Sequence, residues 1–225
     1  MIDNINKILF VHIPRTGGSQ FSNFYHKEVL SPAVDLSLYE RYFAHGDFNA
    51  KHFRYQDYEI LVGAGLVDYK TVTVVRNIYD LAVSTWRMSL LVNGEEVLWG
   101  TGDRKNTFVN FLDWLSIQKE SRLPIFSANG IVPYQSMRQK EYLKGCKNCE
   151  VIRYEDYDKG VRNFFLNHFS LETGLKKYTD EELKLSDKYR GRKLDYREYY
   201  TGETKQKVES LFAEDIEHFN FQFDT

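Results

Sequence analysis

Short apolar runs alternate along the chain with stretches whose apolar positions recur at helical spacing. Residues 7–13, Lys-Ile-Leu-Phe-Val-His-Ile, are apolar almost throughout, as buried strands of parallel sheets are. This run enters Pro14-Arg15-Thr16-Gly17-Gly18-Ser19, where the glycines permit a tight turn. From Ser19 to Leu30, Phe21, Phe24, Tyr25 and Val29 fall on one helical face. Thr71-Val72-Thr73-Val74-Val75 is β-branched throughout and predicts a second strand, ending at Arg76. Asn77 or Asp80 is placed to cap a following helix that reaches Leu91, with Leu81, Ser84, Thr85 and Met88 on related faces. A third strand is expected over 150–153. A helix is expected over 155–168, with Val161, Phe164, Phe165 and Phe169 on its apolar side. Two more helices are expected at 106–120 and 203–218; in the second, Val208, Leu211, Phe212, Ile216 and Phe219 keep the i, i+3, i+4 rule. Strands alternating with helices predict an α/β fold with a central, mainly parallel sheet flanked by helices, in a single domain spanning 1–225. Segments 92–105 and 170–202 carry no such period and read as long loops.

Composition narrows the function classes. Of 225 residues, 42% are hydrophobic and 16% aromatic, enough for a sizeable core, and the 28% that are charged form no long single-sign block, which argues against disorder. A formal net charge of −2 argues against a bulk electrostatic nucleic-acid binder. Any anionic ligand must therefore be held by a local basic pocket. No stretch approaches the roughly eighteen apolar residues of a membrane span, and none reads as an export signal, so the expectation is a soluble, cytoplasmic protein. Cys146 and Cys149, spaced Cys-Lys-Asn-Cys, are the only cysteines. They make neither a disulfide framework nor a complete zinc site. They read first as two free thiols in a loop before a strand, and second as a redox-active pair.

The chemistry concentrates at two places. Anion capture needs backbone N–H groups, and a glycine-bearing loop entering a helix N-terminus supplies them together with the helix dipole. In Pro14-Arg15-Thr16-Gly17-Gly18-Ser19 the two glycines let the backbone approach an anion, Thr16 and Ser19 add hydroxyls, and Arg15 adds a fixed charge. An ordinary βα turn with glycines for packing explains the same residues. The Walker pattern is absent in both spacing and lysine, which disfavours an ATP- and Mg²⁺-dependent kinase or hydrolase. In the second place, Arg76 ends a strand and Ser84 lies eight residues on, so both can converge on one phosphate. Two anion sites at the carboxyl edge of a sheet suit a nucleotide with phosphates at both ends.

These two segments resemble the 5′-phosphosulfate loop and the 3′-phosphate segment of sulfotransferases that use 3′-phosphoadenosine 5′-phosphosulfate. The Pro-Arg-Thr-Gly-Gly-Ser form is similar to the carbohydrate-type branch, which includes the heparan sulfate 2-O-sulfotransferases. Val151-Ile152-Arg153-Tyr154-Glu155-Asp156, the stretch from Lys193 to Tyr200, Phe212-Ala213-Glu214-Asp215-Ile216 and Phe219-Asn220-Phe221 add to the likeness, which is weak through 90–130. The resemblance implies a P-loop-like three-layer fold. It also implies in-line transfer of a sulfuryl group to a hydroxyl acceptor, with a glycan as first choice and a small molecule as second. The product is adenosine 3′,5′-bisphosphate, and no metal, nucleic acid or membrane is expected to take part. A binding protein that has lost turnover is the alternative.

By the same resemblance, Arg15, Thr16, Gly17, Gly18 and Ser19 hold the 5′ end of the donor and Arg76 with Ser84 hold its 3′ phosphate. Arg15 stands where most relatives carry lysine; because a guanidinium keeps its proton, it is expected to stabilise charge and not to donate a proton. The branch often shows His-Gly-His after the second strand. This chain has His45-Gly46-Asp47, so Asp47 is the first candidate base by position and His45 the second by chemistry, Asp47 otherwise orienting His45 or His52; a plain turn cap explains His45 and Asp47 as well. Arg190, Arg192 and Lys193, with Lys188 and Arg197, are expected to close over the 3′ phosphate and adenine, with Tyr189 or Tyr196 stacking; a solvated charged loop is the plainer reading. Trp86, Trp99, Tyr134 and Gln135 are placed to line an acceptor cleft, although Trp86 equally fits a core. His12, on a buried strand, reads as a core residue.

Overall fold

A computed structural model describes residues 1–29, 52–93, 104–121, 126–127, 130–131, 133–176 and 195–224. In chain order its main elements are β1 (Ile2–Asp3), β2 (Ile8–Val11), α1 (Gly18–Glu28), α2 (Tyr55–Val62), β3 (Lys70–Val75), α3 (Ile78–Asn93), α4 (Arg104–Ser121), β4 (Cys149–Arg153), α5 (Tyr157–Phe169), α6 (Gly202–Leu211) and α7 (Ala213–Phe219), with shorter pieces between them. The chain divides into two compact units, Met1–Val75 with Gln139–Lys177 and Arg76–Arg138 with Tyr178–Thr225.

The first unit is built on a four-stranded open sheet in the order β1-β2-β3-β4. Ile8 pairs with Lys70 and Val11 with Thr73 in one parallel ladder, and Thr71 pairs with Cys149 and Val75 with Arg153 in the next. The sheet is mixed, because β1 runs antiparallel to β2, with Ile2 opposite Leu9. The fold class is therefore α/β as the alternating pattern predicts, with one reversed edge strand. The apolar run of β2 ends at Val11, so His12 and Ile13 are buried but outside the ladder.

One sheet face carries Phe10, Val72, Val74 and Ile152, and against it pack Phe21 and Tyr25 of α1 with Tyr157, Val161, Phe164 and Phe165 of α5, all buried. The Phe10 and Phe21 rings stack at 4.3 Å. Burying one such side chain contributes about 1.5–3 kcal/mol, so this layer pins the start of α1 to the end of β2. At the edge, Asp3 is buried and its carboxylate accepts hydrogen bonds from Tyr25 Oη at 2.7 Å, Asn6 Nδ2 at 2.7 Å, Ile5 N at 2.9 Å and Asn6 N at 3.0 Å.

The second unit is largely helical. Trp86 of α3 is buried, 5.4 Å from the rings of Phe108 and Tyr199. Tyr134 is buried 5.4 Å from Phe212. Both side chains are thus packed among core aromatics, while Trp99 lies outside the described residues. The helix expected over 203–218 is two helices that meet at Phe212, whose φ of −125° and ψ of 29° break the helical run. Thr201 caps α6 by accepting from Thr204 N at 3.2 Å. Among the described residues, no helix is long and apolar enough to cross a membrane.

Candidate functional site

Because β2 and β3 are parallel, both end at the same edge of the first unit's sheet, the edge where open α/β sheets place ligands. From β2 the chain passes through residues 12–17 and enters α1 with Gly17 as N-cap. No side chain caps this helix and its first turn holds no acidic residue, while His26 and Lys27 occupy the last turn. The charge pattern follows the helix dipole, and an anion at such a start gains about 0.3–1 kcal/mol.

The turn is held from within. Thr16 is fully buried and its hydroxyl donates to Ile13 O at 2.9 Å. That proton is committed to the turn, so what Thr16 can offer an anion is its main chain. Arg15 has φ of 66° and Gly17 φ of 89°. The second is free of cost for glycine; the first holds an arginine in the left-handed region, which ordinary side chains avoid. Gly17 O accepts from Tyr157 Oη at 3.1 Å, and a Cβ on Gly17 would come within 3.0 Å of the Tyr157 ring and 3.2 Å of Tyr154. A Cβ on Gly18 would lie 2.3 Å from His12 Cδ2. Both glycines therefore answer to the protein's own packing.

Beneath the turn lies a buried histidine pair. His12 is 3% and His52 5% exposed, with ring centroids 4.7 Å apart. His52 Nδ1 is 3.0 Å from His12 O. A carbonyl oxygen can only accept, so Nδ1 carries the proton and a neutral His52 has its lone pair on Nε2. His12 is the buried residue that the strand pattern predicts; its ring packed on Gly18 and its carbonyl bonded to His52 are tertiary features with no signal in the sequence.

The second cluster belongs to the second unit. Arg76 is buried just before α3, and its Nε lies 2.8 Å from Asp80 Oδ2 while Nη1 donates to Ser84 Oγ at 3.1 Å. Arg76 precedes the helix and its side chain reaches Asp80 and Ser84 on the first turns, so the spacing that suggested an Arg–Ser pair does bring the two together. It also inserts Asp80 between them. That carboxylate balances the guanidinium charge, and a phosphate at Arg76 has to compete with it. Asn77 Oδ1 accepts from Tyr79 N at 3.1 Å, the helix-start role expected of it.

Five further candidates, His45, Asp47, Arg190, Arg192 and Lys193, lie outside the described residues. Of the neighbouring set, Arg197 pairs with Asp195 at 2.8 Å and lies over the Tyr196 ring. The Tyr196 hydroxyl donates to Phe223 O, and its ring meets Tyr200 and Phe223 edge-on. These two side chains are engaged within the carboxyl-terminal segment. No protein-family model matches the chain, and no curated protein matches it.

Proposed function

We propose that this chain is a sulfotransferase that moves a sulfuryl group from 3′-phosphoadenosine 5′-phosphosulfate to a hydroxyl acceptor, a carbohydrate in the first instance, by in-line transfer. The observation that carries the reading is the strand–turn–helix formed by β2, residues 12–17 and α1, in which Pro-Arg-Thr-Gly-Gly-Ser sits at the carboxyl edge of the sheet and opens an uncapped helix. A P-loop-like layered fold goes with this reading; the parallel β2–β3–β4 ladder and helices α1 and α5 on one face support it.

In this account the main chain of residues 16–19 and the start of α1 bind the 5′ phosphosulfate. Arg15 stabilises charge that develops on the leaving phosphate, since its guanidinium stays protonated throughout. Arg76 and Ser84 bind the 3′ phosphate, and each charge-assisted bond contributes about 1.5–3 kcal/mol. Asp80 tunes this contact, because phosphate binding must outweigh an existing ion pair. The acceptor hydroxyl needs a base. Asp47, His45 and His52 are the three candidates, and support for His52 comes from its fixed tautomer, which leaves Nε2 able to accept a proton.

Turnover with sulfur-labelled donor and a panel of glycans, small alcohols and phenols tests the reading. Label transfer to a hydroxyl acceptor is expected, with His52→Asn lowering kcat while leaving donor affinity within about twofold. Donor binding without transfer to any acceptor would leave a binding protein in place of an enzyme. Absence of donor binding would end the proposal.

A further inference from the structure

β4 runs parallel to β3 and pairs Arg153 with Val75, so its end reaches the same sheet edge as the turn after β2. From there a short helical turn, Tyr154–Asp156, leads into α5 at Tyr157. Gly160, three residues on, lets α5 lie directly on β4, since a Cβ there would come within 2.6 Å of Ile152 Cγ2. Phe21 of α1 meets Phe164 and Phe165 of α5, with ring centroids 5.3 and 5.2 Å away. This packing fixes α5 against both the strand and α1, and it delivers the fully buried Tyr157 ring to Gly17.

The contact falls on one peptide group. Gly17 O, at the N-cap of α1, accepts from Gln20 N at 3.1 Å and from Phe21 N at 3.4 Å. The Tyr157 hydroxyl adds a third donor at 3.1 Å. A trans peptide is planar, so its C=O and the following N–H point in opposite directions. Holding Gly17 O therefore holds the Gly18 N–H, aimed back out of the helix start, where an anion would meet it. Gly17 sits at a φ of 89° with no side chain to steady it. Glycine leaves many conformations open, and a bond from a neighbouring element removes them. The rings of Tyr157 and Tyr154, with centroids 5.9 Å apart, crowd the same residue from one side.

We propose, on the reading of this turn as the donor's 5′ site, that Tyr157 is a positioning residue for that end of the donor. Its hydroxyl sets the Gly17–Gly18 peptide so that the Gly18 N–H faces the 5′ phosphosulfate. Tyr157 acts through that peptide, from α5, without belonging to the strand–turn–helix itself. With the hydroxyl removed, Gly17 O keeps its two main-chain donors, so the first turn of α1 stays closed while the peptide is freer to tilt.

Full-length Tyr157→Phe, which keeps the ring, is titrated calorimetrically beside the wild type with adenosine 5′-phosphosulfate and with adenosine 3′-monophosphate. A loss of about tenfold is expected for the first ligand and of less than about twofold for the second, because only the first carries a 5′ group. A variant that merely loosened the fold would weaken both alike. In the wild type, the nitrogen-15 NMR signal of the Gly18 amide is expected to move as the phosphosulfate is added, a readout that does not depend on the variant folding. Three results would overturn the role of Tyr157 and leave the sulfotransferase reading in place: unchanged affinity of the variant for the phosphosulfate, parallel losses for both ligands, or a Gly18 amide that stays still while the phosphosulfate binds. A wild-type chain that does not bind the phosphosulfate would end that reading, and the role of Tyr157 with it.

Discussion

Asp3 concentrates four hydrogen bonds on one buried carboxylate, tying the edge of the sheet to α1 through Tyr25. Burial pushes this carboxyl up, but the bonds from Asn6, Tyr25 and Ile5 outweigh it and leave it below the ordinary value. A carboxylate lowered on folding stabilises the protein above its unfolded value, and that contribution is lost as the pH falls through its folded value. Asp3→Asn is therefore expected to cost about 2–3 kcal/mol at pH 7, where an amide NH₂ replaces an acceptor that two donors need. At an acid pH below the ordinary carboxylate value the gap to wild type narrows, as the wild-type carboxylate protonates. Urea unfolding at both pH values checks this; a gap that does not change with pH contradicts it. Nothing in the sequence marks Asp3, because its partner Tyr25 is brought to it only by folding. The meeting of Arg76 with Ser84 was legible as a strand end facing a helix two turns on, whereas the ion pair of Arg76 with Asp80, read only as a possible cap, was not.

At the scale of elements, the strand, turn and helix from Ile8 to Glu28 were legible because every determinant is local: an apolar run, paired glycines and helical spacing. The tertiary reasons for those glycines were not. A Gly18→Ala Cβ would meet His12 at 2.3 Å, and that substitution is expected to destabilise the chain by about 1–3 kcal/mol. Arg15→Gly is expected to do the reverse. Glycine relieves the positive φ and raises stability by about 1 kcal/mol, while removing the guanidinium weakens donor binding. Thermal unfolding of both variants checks the pair; an unchanged Gly18→Ala protein would contradict the packing account. The helix over 203–218 shows the limit of periodicity. Its apolar spacing continues across Phe212, yet the backbone turns there, because a period reports which side is buried and not whether the helix is continuous.

For the whole molecule, α/β alternation gave the class, while the order β1-β2-β3-β4 and the reversed β1 depend on pairings between distant residues. A two-residue strand such as β1 has too little pattern to be seen. The proposed function needs this chain to bind a nucleotide carrying phosphates at both its 3′ and 5′ ends. Calorimetric titration of the full chain with adenosine 3′,5′-bisphosphate and with ATP, repeated for Arg15→Ala and Arg76→Ala, tests that claim most directly. The bisphosphate is expected to bind at least about tenfold more tightly than ATP, and each substitution to weaken it by about 10- to 100-fold. Equal affinity for ATP, or an Arg76→Ala protein that binds the bisphosphate as wild type does, would contradict it.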